Sequence, residues 1–279
     1  MAIWITGTHG LIGSHVLRRL EAEGIDAFGV SRGELDLGDF QAVEKFFSEK
    51  KPAGIIHCAA MSKATECDRD TRLARHINID LTQLLSELAA NIPFTFLSTD
   101  LVFDGTQGNY SEKDSPAPLN YYGETKVKAE ESVLKNLKHT VIRTSLNAGI
   151  SPTGDRAFNE EMKKMCGAGK SVKLFTDEFR SPIPVVETAA LLVSLYRKSE
   201  RGLYHLAGAE TLSRMQIGLA LLDKWDLPPS LAAGSSLHYY QGPRRAANTT
   251  LNCGKLEKLL GRRMPGFTEW LGKATPEQI

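Results

Sequence analysis

Apolar and polar positions in the first half of the chain switch repeatedly between two periods. Short, nearly continuous apolar runs at residues 2–6, 27–30, 54–58 and 94–98 read as buried strands. Between them, residues 11–23, 40–50 and 71–90 place apolar side chains three and four apart, the spacing of a helix with one buried face. Strands alternating with helices predict a parallel sheet covered on both faces, an α/β fold of the Rossmann-like, doubly wound type. A loop rich in Gly, Asp, Ser and Pro, residues 104–120, breaks the alternation before a helix carrying Tyr122, Lys126, Glu130 and Val133. Strand 139–144 follows.

Beyond that strand the pattern loosens. Gly and Pro crowd residues 149–154, a helix is expected over 157–166, and short strands near 172–175 and 203–206. Residues 187–197 read as an amphipathic helix able to cover the sheet. The expected organisation is therefore a dinucleotide-binding domain over residues 1–148, with 183–206 returning to it. Residues 149–279 form mainly a smaller C-terminal substrate lobe. Asp226-Leu227-Pro228-Pro229 marks a helix end and not a linker.

Composition narrows the partners. The chain has 279 residues, 42% of them hydrophobic, and a net charge of +1 from 34 basic and 33 acidic side chains. That balance supplies no field to attract nucleic acid or an anionic membrane, so a small-molecule ligand is expected. No apolar run approaches the ~20 residues of a membrane span, and the chain enters its first strand without a basic leader, so a cytoplasmic location is expected. Cys58, Cys67, Cys166 and Cys253 show no Cys-x-x-Cys spacing, and the seven histidines show no ligand spacing. Free thiols and no metal are expected. A homodimer is compatible with the sequence.

Two constellations carry chemistry. Thr6 closes the first strand and Leu11 opens the first helix, so Gly7, His9, Gly10, Leu11, Ile12 and Gly13 lie where a helix N-terminus presents free N–H groups to a pyrophosphate. Gly7 permits the sharp turn, Gly10 the approach of phosphate, and Gly13 the close packing of helix on strand. At the end of the second strand stand Ser31 and Arg32, where an acidic residue would bind the ribose hydroxyls of NAD. Arginine pairs instead with a ribose phosphate, which favours NADP (as NADPH) and leaves NAD as the alternative. Asp36 and Leu37 are candidate adenine contacts, with helix capping the other reading of Asp36.

The second constellation is Tyr122 and Lys126, four apart and so on one helix face. A phenol with a pKa of about 10 exchanges protons near neutrality only if a neighbouring positive charge favours its anion. Lys126 is expected to supply that charge and to hold the nicotinamide ribose. Ser98 and Thr99 end the preceding strand at the carboxyl edge, where a hydroxyl can bond a substrate carbonyl. Thr99, Tyr122 and Lys126 are the expected catalytic set.

These segments resemble an extended short-chain dehydrogenase/reductase of the dTDP-4-dehydrorhamnose reductase family. Residues 98–105, Ser-Thr-Asp-Leu-Val-Phe-Asp-Gly, are similar to that family's Ser-Thr-Asp-Tyr-Val-Phe-x-Gly. Pro118 to Lys126, Arg143-Thr144-Ser145 and Arg245 to Leu251 carry further likeness, so it spans nearly the whole chain. The resemblance implies reduction of a nucleotide-linked keto sugar in dTDP-rhamnose biosynthesis, with hydride from NAD(P)H and a proton from Tyr122. It places Ala59 and Ala60 beside the cofactor and Ser98, Asp100 and Arg245 beside the substrate. Leu101, Leu146 and His57 depart from the family pattern, which has aromatic residues at the first two positions and asparagine at the third. Related dehydratases place a glutamate where Leu101 stands, and leucine cannot act as that base. A nucleotide-sugar epimerase is a further alternative. The regulatory subunit of methionine adenosyltransferase is also similar to this group, so a regulatory, NADP-binding role is the rival reading.

Overall fold

The computed structural model describes residues 1–30 and 33–279. Its first half runs β1 (Ile3–Thr6), α1 (Leu11–Ala22), β2 (Ala27–Val30), α2 (Phe40–Lys50), β3 (Gly54–His57), α3 (Ala64–Arg69), α4 (Thr71–Arg75), a π turn (His76–Asp80), α5 (Leu81–Leu88), β4 (Phe94–Thr99), α6 (Tyr121–Leu134) and β5 (Thr140–Thr144). The second half adds β6 (Asn147–Ala148), α7 (Phe158–Gly167), β7 (Val172–Phe175), β8 (Phe179–Arg180), β9 (Ile183–Pro184), α8 (Val185–Arg197), β10 (Gly202–Leu206), β11 (Leu212–Ser213), α9 (Arg214–Lys224), β12 (Ala232–Ser235), α10 (Gly254–Leu260) and α11 (Phe267–Lys273).

Six strands form one parallel sheet in the order β10-β5-β4-β3-β1-β2. Alternate residues of β1 serve opposite faces, as the pleat requires. Ile3 and Ile5 join Val16, Leu20, Ile56, Ile142 and Leu192 on one side. Trp4 joins Val43, Ile55, Leu85, Phe96 and Val133 on the other. The Trp4 ring lies 5.2 Å from Phe46 and 5.7 Å from Phe47, packing of a kind whose loss costs roughly 3–5 kcal/mol. Helix α8 lies along α1, and β10 pairs with β5, so this later segment completes the sheet half of the fold. A separate cluster built on Met162, Leu174, Ile217, Leu221, Phe267 and Leu271 forms the core of the remaining lobe.

The order of strands decides where ligands can sit. Strand β1 lies between β2 and β3, so the connections after β1 and β3 leave in opposite directions and open a crevice at the carboxyl edge.

Residues 71–90 are not the single helix that their periodicity predicts. A π turn at His76–Asp80 interrupts them, and within it Asn78 accepts from Met61 N at 2.8 Å while donating to Met61 O and Thr125 Oγ1, each at 3.0 Å. The widened turn thus ties the loop after β3 to α6. Asp39, not Asp36, caps α2, accepting from Ala42 N at 3.1 Å, while Asp36 accepts from Gly38 N at 2.9 Å in the preceding turn. Among the described residues no helix is long and apolar enough to cross a membrane.

Candidate active site

The glycine loop fills the crevice between β1 and β3. Gly7 has φ +75, and a Cβ there would stand 2.7 Å from Ala59 N; a Cβ on Gly13 would stand 2.4 Å from Gly7 O. Both positions exclude a side chain because backbone meets backbone. Gly10 differs, since its Cβ would meet only Gly7 O, at 3.1 Å, and the outer side of the loop is open. It is the N-cap of α1 without any side-chain cap, so the first N–H groups of that helix have no intrahelical partner. Leu11 and Ile12 pack against Ala157 and Val185, which holds the helix start in place while its backbone faces outward. His9 is exposed. A cradle of this shape fits a dinucleotide pyrophosphate.

The far side of the loop is held by a buried relay. Thr6 Oγ1 accepts from Cys58 N at 3.2 Å and Ala59 N at 3.1 Å, and lies 2.7 Å from His57 Nδ1. Thr82 Oγ1 donates to Asn78 O, so it can only accept from His57 Nε2, 3.1 Å away. His57 therefore carries its proton on Nε2, and burial pulls its pKa down to about 3. Ala59 and Ala60 follow directly, half-buried. Leu37 packs against the core and Asp36 is exposed. Ser31 and Arg32 lie outside the described residues.

Helix α6 delivers the tyrosine and lysine. Asn120 caps it, accepting from Gly123 N at 3.0 Å, and a Cβ on Gly123 would stand 2.4 Å from Leu101 O. That close approach brings Tyr122 to the end of β4, where its phenol lies beside the Thr99 hydroxyl. Thr99 Oγ1 also donates to Asp100 Oδ1 at 3.2 Å and accepts from Leu101 N at 3.2 Å. Lys126 is only 2% exposed; its Nζ donates to Leu97 O at 2.6 Å and lies 3.9 Å from the Phe96 ring centroid.

The electrostatics depart from the sequence reading. Burial raises the Tyr122 phenol well above its ordinary value, with the Thr99 hydroxyl opposing, and Lys126 is not among the groups that shift it. Lys126 itself is pulled down to about 7 by burial, with the Glu130 carboxylate one turn away opposing. The Lys126 ammonium is engaged with the Leu97 carbonyl of β4.

Ser98 and Asp100, both expected beside the substrate, are buried and bonded to neighbouring side chains. Ser98 is buried and donates to Glu130 Oε1 at 2.5 Å. Adjacent strand residues point to opposite faces, so Ser98 turns under α6 when Thr99 faces Tyr122. Asp100 accepts from Ser145 at 2.7 Å and Thr249 at 2.9 Å, which fixes the turn after β4 to the second half of the chain. Arg143 binds Glu130 through Nε at 3.0 and 3.1 Å and Nη2 at 2.6 Å, both side chains 3% exposed.

Arg245 is half-buried. With Lys63, Leu101, Asn120, Arg180 and Tyr240 it lines a recess of about 240 Å³. Its guanidinium is bonded through two nitrogens to Glu178, at 2.7 and 2.8 Å, and lies over Phe175 and Tyr240. Glu178, Arg180 and Glu130 had no signal in the sequence, because their partners come from segments remote in the chain.

Residues 1–278 match the family described as the RmlD substrate binding domain. The chain belongs to that family. Methionine adenosyltransferase 2 subunit beta of Pongo abelii is 30% identical over 280 residues, covering 94% of this chain and 84% of that protein. A dTDP-4-dehydrorhamnose reductase from Clostridium acetobutylicum has the same fold, with a TM-score of 0.89, 25% identity and coverage of 98% of each chain. One from Bacillus anthracis, solved in complex with NADP, gives a TM-score of 0.90 at 24% identity, again over 98% of each chain. The RmlD match takes in the glycine loop, Tyr122, Lys126 and the Arg180–Glu178–Arg245 cluster alike.

Proposed function

We propose that this RmlD-family chain is an NADPH-dependent reductase of a nucleotide-linked keto sugar of the dTDP-4-dehydrorhamnose class, with NADH the weaker alternative. The observation that carries the reading is the Thr99–Tyr122 hydroxyl pair at the carboxyl end of β4, between the glycine cradle and a cationic recess. Residues 1–148 with 183–206 hold the dinucleotide, and residues 149–279 otherwise hold the sugar nucleotide. The N–H groups of Leu11, Ile12 and Gly13 receive the pyrophosphate, Gly7 and Gly10 shape its approach with the Gly10 N–H bonded to Gly7 O, His9 flanks it, and Ala59 and Ala60 border the cofactor with Asp36 and Leu37. When bound, the reduced nicotinamide supplies hydride to the sugar carbonyl carbon.

The chain's own residues handle the proton. A carbonyl oxygen beside Thr99 and Tyr122 accepts from the phenol, and from Thr99 once its hydroxyl turns away from Asp100 Oδ1, and the phenol gives up its proton as the oxygen gains charge. Burial keeps the phenol protonated at neutrality, so a proton is available there, although from a weaker acid than a free tyrosine. Lys126, buried against Phe96, fixes α6 to β4 and offers its remaining N–H groups to the ribose. Leu101 lines the recess where a dehydratase needs a carboxylate, so loss of water from the sugar has no base at that position.

The test is cofactor consumption by the purified chain with dTDP- and UDP-linked 4-keto sugars. Turnover supports the reading, and tight NADPH binding with no turnover on any of them contradicts it. The second outcome is the one expected of a regulatory role like that of the methionine adenosyltransferase subunit, which the 30% identity favours.

A further inference from the structure

The loops after β2 and β3 both leave the sheet at its carboxyl edge, on the side of the crevice where a dinucleotide places its adenine half. One π turn, of the kind that recurs at functional positions, reaches both. Asn78, inside it, holds Met61 in the loop after β3 by two bonds. His76, its first residue, reaches the other loop. Its Nε2 lies 2.8 Å from Gly38 O, and because a carbonyl only accepts, Nε2 carries the proton and donates. The same ring stacks on Phe40, first residue of α2, with centroids 4.4 Å apart and planes 16° from parallel. Residues 36–39 are otherwise closed on themselves and on α2: Asp36 accepts from Gly38 N through Oδ1 and from Asp39 N through its carbonyl, and Asp39 caps the helix. Among the described residues the His76 bond is the one hydrogen bond that ties this turn to an element other than α2.

We propose that His76 is a positioning residue for the cofactor: it sets the width of the adenine cleft by holding the turn at residues 36–39 a fixed distance from the loop after β3, acting through Gly38 and Phe40. A cleft fixed before the ligand arrives spares binding the cost of ordering that turn. Without the bond the turn samples other positions, and apparent affinity falls with the fraction of chains that remain competent. The His76 ring bonds neither α1 nor α6, so the loss falls on the adenine end and not on the pyrophosphate or the nicotinamide. This inference rests on the dinucleotide reading, but not on reduction of a sugar.

Calorimetric titration of the full chain with NADPH and with adenosine 2′,5′-bisphosphate, its adenine half alone, tests it. His76→Phe keeps a flat ring on Phe40 and removes the donor. It should weaken both ligands by the same factor, roughly threefold to tenfold, the size of one ordinary hydrogen bond. His76→Gln, whose side-chain amide can donate to Gly38 O, should bind both within about twofold of wild type. Unchanged bisphosphate affinity in His76→Phe overturns the proposal, and so does a Gln variant no better than Phe. An NADPH loss well beyond the bisphosphate loss also overturns it, because the effect would then lie outside the adenine end. A wild type that binds NADPH but not the bisphosphate does the same, since the cleft would not be formed in advance. A wild type that binds neither removes the dinucleotide reading and the proposal together. If the expected pattern holds while no keto sugar is reduced, the proposal stands and the reductase reading falls.

Discussion

Removing the charge of Glu130 probes how the catalytic helix is held to the sheet. Glu130 accepts from Ser98 Oγ and from two nitrogens of Arg143, and the pair is 3% exposed on both sides, so water cannot replace either partner. Lys126, one turn earlier, donates to Leu97 O, so α6 is fastened to two consecutive residues of β4. In Glu130→Gln the Arg143 guanidinium keeps at most one amide oxygen as acceptor and loses its counter-charge, with the Phe103 ring at 5.0 Å and a neutral His205 at 3.5 Å as its other neighbours. Stranding one member of a buried ion pair costs about 3–5 kcal/mol. At ~2–4 °C per kcal/mol for a protein near this size, the melting temperature should fall by roughly 6–20 °C. Adding Arg143→Met removes the stranded charge, and the introduced amide can still accept from Ser98. The double variant should therefore recover at least half of the loss. Urea denaturation of the three variants against wild type measures this. Single variants within about 1 kcal/mol of wild type would refute the argument, and so would a double variant whose loss equals the sum of the singles.

Acid should unfold the protein through two histidines. Burial holds His57, and burial with Arg143 holds His205, at about 3, whereas both take up a proton near 6.5 when unfolded. Their contribution is whole above pH 6.5 and is lost as pH falls toward 3, at up to roughly 1.4 kcal/mol per pH unit for each proton. His57→Asn should flatten the pH dependence of urea midpoints between those limits by about one proton, and an unchanged slope would contradict the buried neutral assignment. The glycine loop separates stability from binding. Gly13→Ala should lower both melting temperature and NADPH affinity, because its Cβ meets the Gly7 carbonyl. Gly10→Ala should lower affinity with a smaller loss of melting temperature, because its Cβ meets only the Gly7 carbonyl oxygen, at 3.1 Å against 2.4 Å for Gly13. Fluorescence titration with NADPH reads both, and two variants of equal stability would count against the packing argument.

Periodicity made the sheet legible because each strand and helix of the first half buries a face large enough to impose its period on the sequence. The π turn was not legible. Residues 71–90 keep a helical apolar pattern across it, and the widening depends on Asn78 finding Met61 and Thr125 far along the chain. Spacing located Tyr122 and Lys126 but not the direction of the ammonium, which the Leu97 carbonyl determines. Ser98 and Asp100 illustrate the same limit. Their position at a strand end suggests substrate contact, yet alternation along β4 turns Ser98 beneath α6, and two hydroxyls from β5 onward occupy Asp100.

Single-turnover NADPH oxidation with a 4-keto sugar nucleotide, by wild type and by Tyr122→Phe, tests the central claim most directly. Loss of the phenol proton should slow the reaction by at least about a hundredfold, within the range attributed to a positioned proton donor, while NADPH affinity stays within about twofold. Undiminished oxidation by Tyr122→Phe would mean that the proton comes from elsewhere, and the Thr99–Tyr122 pair would lose its role.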